Sequence, residues 1–252
     1  MTPAGGMIAF AALLCPLHFA RAAATAPAFE VASIKRHVVA GDRRGADAPQ
    51  DAVDPAMVSL RAASPGELLQ FAFDCKSSQQ IVGVPPRLDR EYYDALAKTA
   101  SPASTDQQRL MMRSLLADRF RLACHLETRS VPGYALVAGR RLHMRPAGRE
   151  TADFSPTPVH SRRGGEMIFT YSGKISMPQL ADWLWRRFTR PVVDRTGLSG
   201  VFRFTVAVTP DQAMGFDDFT AAIRDQLGVE IKAQRVSIEV VVVDHMERPS
   251  EN

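Results

Sequence analysis

The sequence predicts an α+β protein built from two tandem, related units, each reading β-α-β-β-α-β-β with its helices on one face of a mixed or antiparallel sheet. Three observations predict it. Ser64-Pro65-Gly66-Glu67 opens an apolar helical run, and Ser176-Met177-Pro178-Gln179 opens another 112 positions later. Thr105-Asp106-Gln107-Gln108 opens a second helix, and Asp217-Asp218-Phe219-Thr220 opens its counterpart, again 112 positions on. Extended segments lie between and after these helices in both places, the pattern expected when one supersecondary unit is used twice.

The 252 residues are 46% hydrophobic and 23% charged, ordinary for a globular chain, and suffice for one large domain or two small ones. Residues 1–24 read as a signal peptide. Met7 to Leu14 is an apolar core too short to span a bilayer, followed by small residues that allow cleavage after Ala22 or Ala24. A buried N-terminal helix is the alternative, since no Lys or Arg precedes the core. Leu14 is large for the residue before a lipidated Cys15. Secretion or a periplasmic location follows from the leader reading, and no other apolar run reaches membrane-spanning length.

Removing the leader leaves Cys75 and Cys124, which can pair in an oxidising compartment or remain two buried hydrophobes. No C-x-x-C occurs. Net charge is +4, falling to +3 without the leader's one Arg. A pI near 9.2 suits weak attraction to anionic envelope polymers. The arginines come as separated pairs, which argues against a nucleic-acid partner.

In the first unit, residues 25–139, Phe29 to Lys35 alternates as a strand and Met57 to Leu60 returns beside it. Ser64 caps a helix with Pro65 in its first turn and Glu67 completing a capping box. Gln80 to Val84 and Tyr93 to Lys98 are strands. Thr105 caps the second helix with Gln108 in the box position, and Leu122 to Glu127 alternates. Gly133 to Ala138 closes the unit as a hairpin partner. Residues 140–165 are Arg- and Pro-rich and read as a linker.

The second unit, residues 166–252, repeats the plan. Its first helix carries Leu180, Leu184 and Phe188 at i+4 spacing. Pro191 to Asp194 is a short strand, and Phe202, Phe204, Val206 and Val208 share one strand face. Gly228 stops the last helix. Glu230 to Ser237 and Ile238 to Val243 finish it as two strands, the last buried on both faces.

These residues resemble the soil-associated bacterial family that carries the DUF3738 domain. The resemblance rests on Phe29 to Lys35, Gln80-Ile81-Val82-Gly83, Ala117-Asp118-Arg119-Phe120, His125 to Arg129, Pro191 to Leu198 and the tail from Asp244. It implies a secreted protein with no established activity and no catalytic residues to carry over. Similar domains follow membrane-bound peptidase segments as outward-facing, sensor-like parts. The chain departs from the pattern at Phe71 to Cys75, which leaves the surroundings of Cys75 open. The second unit is also similar to the short N-terminal domain of secretins and TonB-dependent receptors, which implies binding of peptides or neighbouring domains through sheet edges.

No G-x-S-x-G, H-E-x-x-H or G-x-G-x-x-G occurs, so no serine-hydrolase elbow, zinc-hydrolase pair or nucleotide loop is expected, and no cofactor or metal. His125 and Glu127, two apart on a strand, share a face and are candidates for ligand binding. Asp244 and His245 point to opposite faces and are ill placed to act together. Arg195, in the turn Asp194-Arg195-Thr196-Gly197, is a candidate to recognise a carboxylate or sugar, while Asp194 and Thr196 bond the turn itself. Trp183 and Trp185, two apart on a helix, cannot both face one core, so one is a candidate anchor for a sugar or a protein. The expected function is a non-catalytic binding or assembly module for an envelope protein, peptide or anionic polymer. A secreted hydrolase and a stand-alone sensor domain are the alternatives.

Overall fold

The computed structural model describes residues 27–37, 52–188 and 190–249. The expected leader and Cys15 lie outside the described residues. Four helices begin where the sequence offers a hydroxyl cap followed three positions later by Glu or Gln. They are α1 (Pro65–Phe73, Ser64 with Glu67), α2 (Thr105–Arg119, Ser104 with Gln107), α3 (Met177–Arg187, Ser176 with Gln179) and α4 (Pro210–Met214, Thr209 with Gln212). Helix α2 thus starts one residue before the position the sequence suggests. Gln108, freed from capping, is buried and donates to the Asp54 carbonyl at 2.6 Å. Helix α5 (Phe216–Leu227) follows Gly215 with no side-chain cap and stops at Gly228, whose φ of 74° suits glycine.

Strands β1 (Val31–Arg36), β2 (Ala52–Asp54), β3 (Met57–Ala63) and β5 (Tyr93–Lys98) form an antiparallel sheet in the order β1-β5-β3-β2. Strands β7 (Arg145–Pro146), β8 (Val159–Arg163), β9 (Glu166–Ser176) and β11 (Val201–Val208) form another, in the order β7-β11-β9-β8. The two orders correspond strand for strand. The stretch read as a linker supplies β7 and β8, both edge strands.

The central sheet joins the halves. Its order is β10-β6-β12-β4, with β4 (Ile81–Val82), β6 (Ala123–Ala138), β10 (Val192–Asp194) and β12 (Val229–His245). Where the sequence reads a strand pair on each side, β6 and β12 run unbroken for 16 and 17 residues. They pair antiparallel from Ala138↔Val229 to Ala123↔His245. The sequence reads Gly133 to Ala138 as a separate hairpin partner. The structure uses Gly133 for close packing instead: a Cβ there would lie 2.5 Å from Val236 Cγ2 and 2.7 Å from the Pro191 carbonyl.

Because neither strand folds back, each reaches into the opposite half. Strand β4 pairs parallel with the end of β12 (Ile81↔Val241), and β10 pairs parallel with the end of β6 (Val192↔Tyr134). The cores record the same exchange. Val243 and Met246 pack with Leu68, Met112 and Phe120 of the first half. Leu136 packs with Leu180, Trp183 and Phe219 of the second.

The tail after β12 is tied to the first half. Glu247 N donates to the Phe120 carbonyl at 2.7 Å, and Arg248 Nε reaches Glu91 Oε1 at 3.0 Å. Glu91 is 7% exposed, and its other oxygen accepts from the Tyr93 hydroxyl at 2.7 Å. That hydroxyl first, and then Arg248, hold the Glu91 carboxyl below its ordinary value of 4.5, against the opposing effect of burial.

Met246→Ala should cost about 2–5 kcal/mol, as other buried large-to-small changes do. Both tryptophans lie in the second core. Their fluorescence transition in urea should therefore shift together with the far-UV circular dichroism transition, although Met246 sits in the first core. Separate transitions would show that the exchange does not couple the halves. The depressed Glu91 pKa adds stability that is present above about pH 4.5 and is lost as pH falls through the lower folded-state value. Glu91→Gln should lower the urea midpoint at pH 7 and flatten its decline below pH 4.5.

Candidate functional site

Four regions bring chemistry-bearing residues together. The first is a cleft of about 370 Å³ where the halves meet, walled by Leu60, Glu67, Phe71, Asp74, Arg109 and Arg186. Asp74 closes α1 in the left-handed conformation, with φ of 53°. Its carboxylate takes Lys76 Nζ and Arg109 Nη2, each at 2.6 Å, and Arg186 Nη2 of α3 lies 3.7 Å away. Lys76 also reaches Asp182 of α3 at 3.0 Å. Glu67 is engaged in its capping box. The charges of this cleft satisfy one another across the junction, which makes it a latch between halves.

Cys75, 6% exposed, sits in the wall of this cleft. Burial first, and then the Asp74 carboxylate, push its thiol up to about 11. Cys75 and Cys124 are both free thiols.

The second region lies on the β6–β12 ribbon. The register passes from Cys124↔Val243 to Ala123↔His245, leaving Asp244 as an extra residue. Such a bulge re-aims a side chain. Here Asp244 Oδ2 meets His125 Nδ1 at 2.9 Å, a partnership that adjacency along the chain could not reveal. His245 turns instead to Glu247 at 3.0 Å. Glu127 pairs with Arg129 at 2.9 Å, and that hydrogen bond holds its carboxyl below the ordinary value. Both His125 and Asp244 are about half exposed. No hydroxyl or thiol hydrogen-bonds to His125 among the described residues, and the nearby Cys124 thiol is pushed up by burial first and then by the Asp244 carboxylate, away from its nucleophilic thiolate form. Nor do three His, Cys, Asp or Glu side chains converge among the described residues in a way that would hold a metal.

The third region is the turn after β10. Asp194 Oδ1 accepts from the Thr196 N–H and hydroxyl, both at 2.8 Å, and Gly197 has φ of 68°. Arg195 N–H donates to the Leu136 carbonyl at 2.8 Å. The Arg195 side chain is exposed and has no ion-pair partner among the described residues. The tryptophans on α3 are both buried, Trp183 at 8% exposed and Trp185 at 7%. Trp183 packs on Phe154, Tyr171 and Phe219. The helix sits deep enough between β9, β10 and α5 for both rings to be covered, which a single-face picture of the helix misses.

The fourth region is backbone. On its outer side β6 is paired only over Tyr134–Leu136, by β10. Among the described residues no strand pairs with 123–131 on that side, and Leu126 there is 51% exposed. The start of β12 is likewise open, since β4 covers only Val241–Val242. Sequence reasoning misses these edges because they arise from strand exchange.

Native Cys75 should resist iodoacetamide at pH 8, because its thiol is buried and its thiolate scarce. Mass spectrometry should find it modified only after denaturation. Rapid native labelling would contradict the packing described.

No helix among the described residues is long and apolar enough to cross a membrane. No curated protein and no solved structure matches the chain. Residues 66–246, from the first turn of α1 to the last buried residue after β12, match the family described as Protein of unknown function (DUF3738). The span takes in the second core cluster, the exchanged strands and the first cluster from Leu68 onward, and the chain belongs to that family.

Proposed function

We propose that the mature chain works outside the cytoplasm as a non-catalytic binding module, adding an extended polypeptide of an envelope protein to the open edge of β6. The observation that carries this reading is the unpaired outer side of residues 123–131. Unpaired N–H and C=O groups in a row are a template for another strand. Leu126, half exposed on this stretch, offers apolar contact, and the Glu127–Arg129 pair offers polar selectivity.

The leader supports the location, and the likeness to the short N-terminal domain of secretins and TonB-dependent receptors supports recognition through an edge. The matched strand orders of the two outer sheets support the reading of one unit used twice. On that reading the open start of β12 is the counterpart edge. The positive net charge, +4 for the whole sequence and +3 without the leader's Arg, favours acidic segments as partners.

Peptides selected from an extended, β-prone library should slow amide hydrogen exchange at residues 123–131 and leave α1 and α5 unchanged. Leu126→Asp should weaken their binding about tenfold without moving the thermal midpoint by more than a degree or two. Binding with no protection of this stretch would sink the proposal.

A further inference from the structure

We propose that a cavity at the end of α3 is a binding site for a small aromatic carboxylate. The cavity lies in the second half, away from the β6 edge at residues 123–131, and encloses about 580 Å³. That volume falls in the range of small-molecule sites. Three elements build it: the end of α3 with the residues just after it, the α4–α5 junction, and Tyr134 on β6.

Its apolar wall is aromatic. The Tyr134 and Phe216 rings lie 4.8 Å apart and tilted by 30°, and Phe188 meets Phe216 nearly edge-on at 4.6 Å. Rings arranged this way leave faces and edges open to a further ring in offset or T-shaped contact. At the rim, Met214 is 88% exposed. A methionine held out in water has no packing role in the free protein, but its flexible thioether can close over an aromatic guest.

The polar groups are cationic. Arg187 and Arg190 line the cavity, and among the described residues no Asp or Glu does. Asp218 stands behind Gly215 in the first turn of α5, where its oxygen would lie 3.2 Å from a Cβ at that position. Arg187 is held in place before any ligand arrives. Its guanidinium lies 4.3 Å from the Phe219 ring centre and donates to the Ala213 carbonyl. A stacked, bonded guanidinium loses little freedom on binding, and its fork matches a carboxylate. Arg190 is exposed, with no ion-pair partner among the described residues. The Tyr134 hydroxyl has no hydrogen-bond partner among them either, and can donate to the same anion. An aromatic wall facing two guanidinium groups selects a planar apolar body that carries a negative charge. A neutral aromatic or a bare anion satisfies only half of it.

Isothermal titration of the intact protein with 2-naphthoate, 2-naphthamide and acetate tests this, with the free-carboxylate tripeptide Ala-Ala-Phe as a fourth arm. Naphthoate should bind at least tenfold more tightly than naphthamide or acetate. Arg190→Gln should remove most of the preference for the charged ligand, and Phe216→Leu should weaken both naphthyl compounds. Thermal melts within a few degrees of the parent would show that both variants fold. If Phe216→Leu melts early, Met214→Ala replaces it as the probe of the apolar wall. Equal affinity for naphthoate and naphthamide would overturn the assignment. So would a preference that survives Arg190→Gln, or binding of the tripeptide without naphthoate. The outcome is independent of the β6 edge, whose test reads amide exchange at residues 123–131.

Discussion

The structure depends on the pairing of β6 with β12. This ladder runs through the whole length of both strands and carries each across the junction into the other half's core. A chain with two helical units and short strands would otherwise leave two small cores, each short of a wall. Small domains bury a lower fraction of their surface and are correspondingly marginal. Exchanging strand ends gives each core a wall that its own half does not contain: Leu136 in one, Val243 and Met246 in the other.

Around that spine, polar contacts close the assembly at two places. Asp74 and Lys76 at the end of α1 meet Asp182 and Arg186 of α3, and Arg248 meets the buried Glu91. Exposed ion pairs add little stability singly, so their effect here is mainly geometric. They set how the halves meet once burial has brought them together. Glu91 differs because it is covered. Its carboxylate needs both the Tyr93 hydroxyl and the guanidinium, since a buried charge without partners is costly. Arg248, just after β12, therefore holds a charge in the first half.

The same exchange that completes the cores leaves edges open. Among the described residues a short strand covers only one end of each long partner, so residues 123–131 of β6 and the start of β12 keep one side unpaired there. The proposed binding through that edge would draw on a property of the topology. The side chains nearby make a polar surface, and the His125–Asp244 pair is half exposed. The aromatic cavity, by contrast, gathers the α3 end and the α4–α5 junction of the second half around Tyr134 of β6, and its Arg187 is held by local packing.

The sequence by itself determined the local elements. Ser64, Ser176 and their partners three residues on announce helix starts because a hydroxyl and a carboxyl or amide satisfy the first free N–H groups there. Alternating residues in Val201 to Val208 announce a strand because period-two patterns bury one face. The Asp194–Gly197 turn was legible for the same reason: its hydrogen bonds close within four residues. Only the tertiary structure decided what lies between distant segments. Gly133 reads as the start of a separate hairpin strand until the Pro191 carbonyl is seen against it, and the partnership of Asp244 with His125 needs a bulge in a ladder between strands more than a hundred residues apart. Both tryptophans of α3 are covered because several elements converge on that helix. Local hydrogen bonding and periodicity are written into neighbouring residues, whereas pairing across the fold is chosen by which arrangement buries most apolar surface with fewest unpaired polar groups.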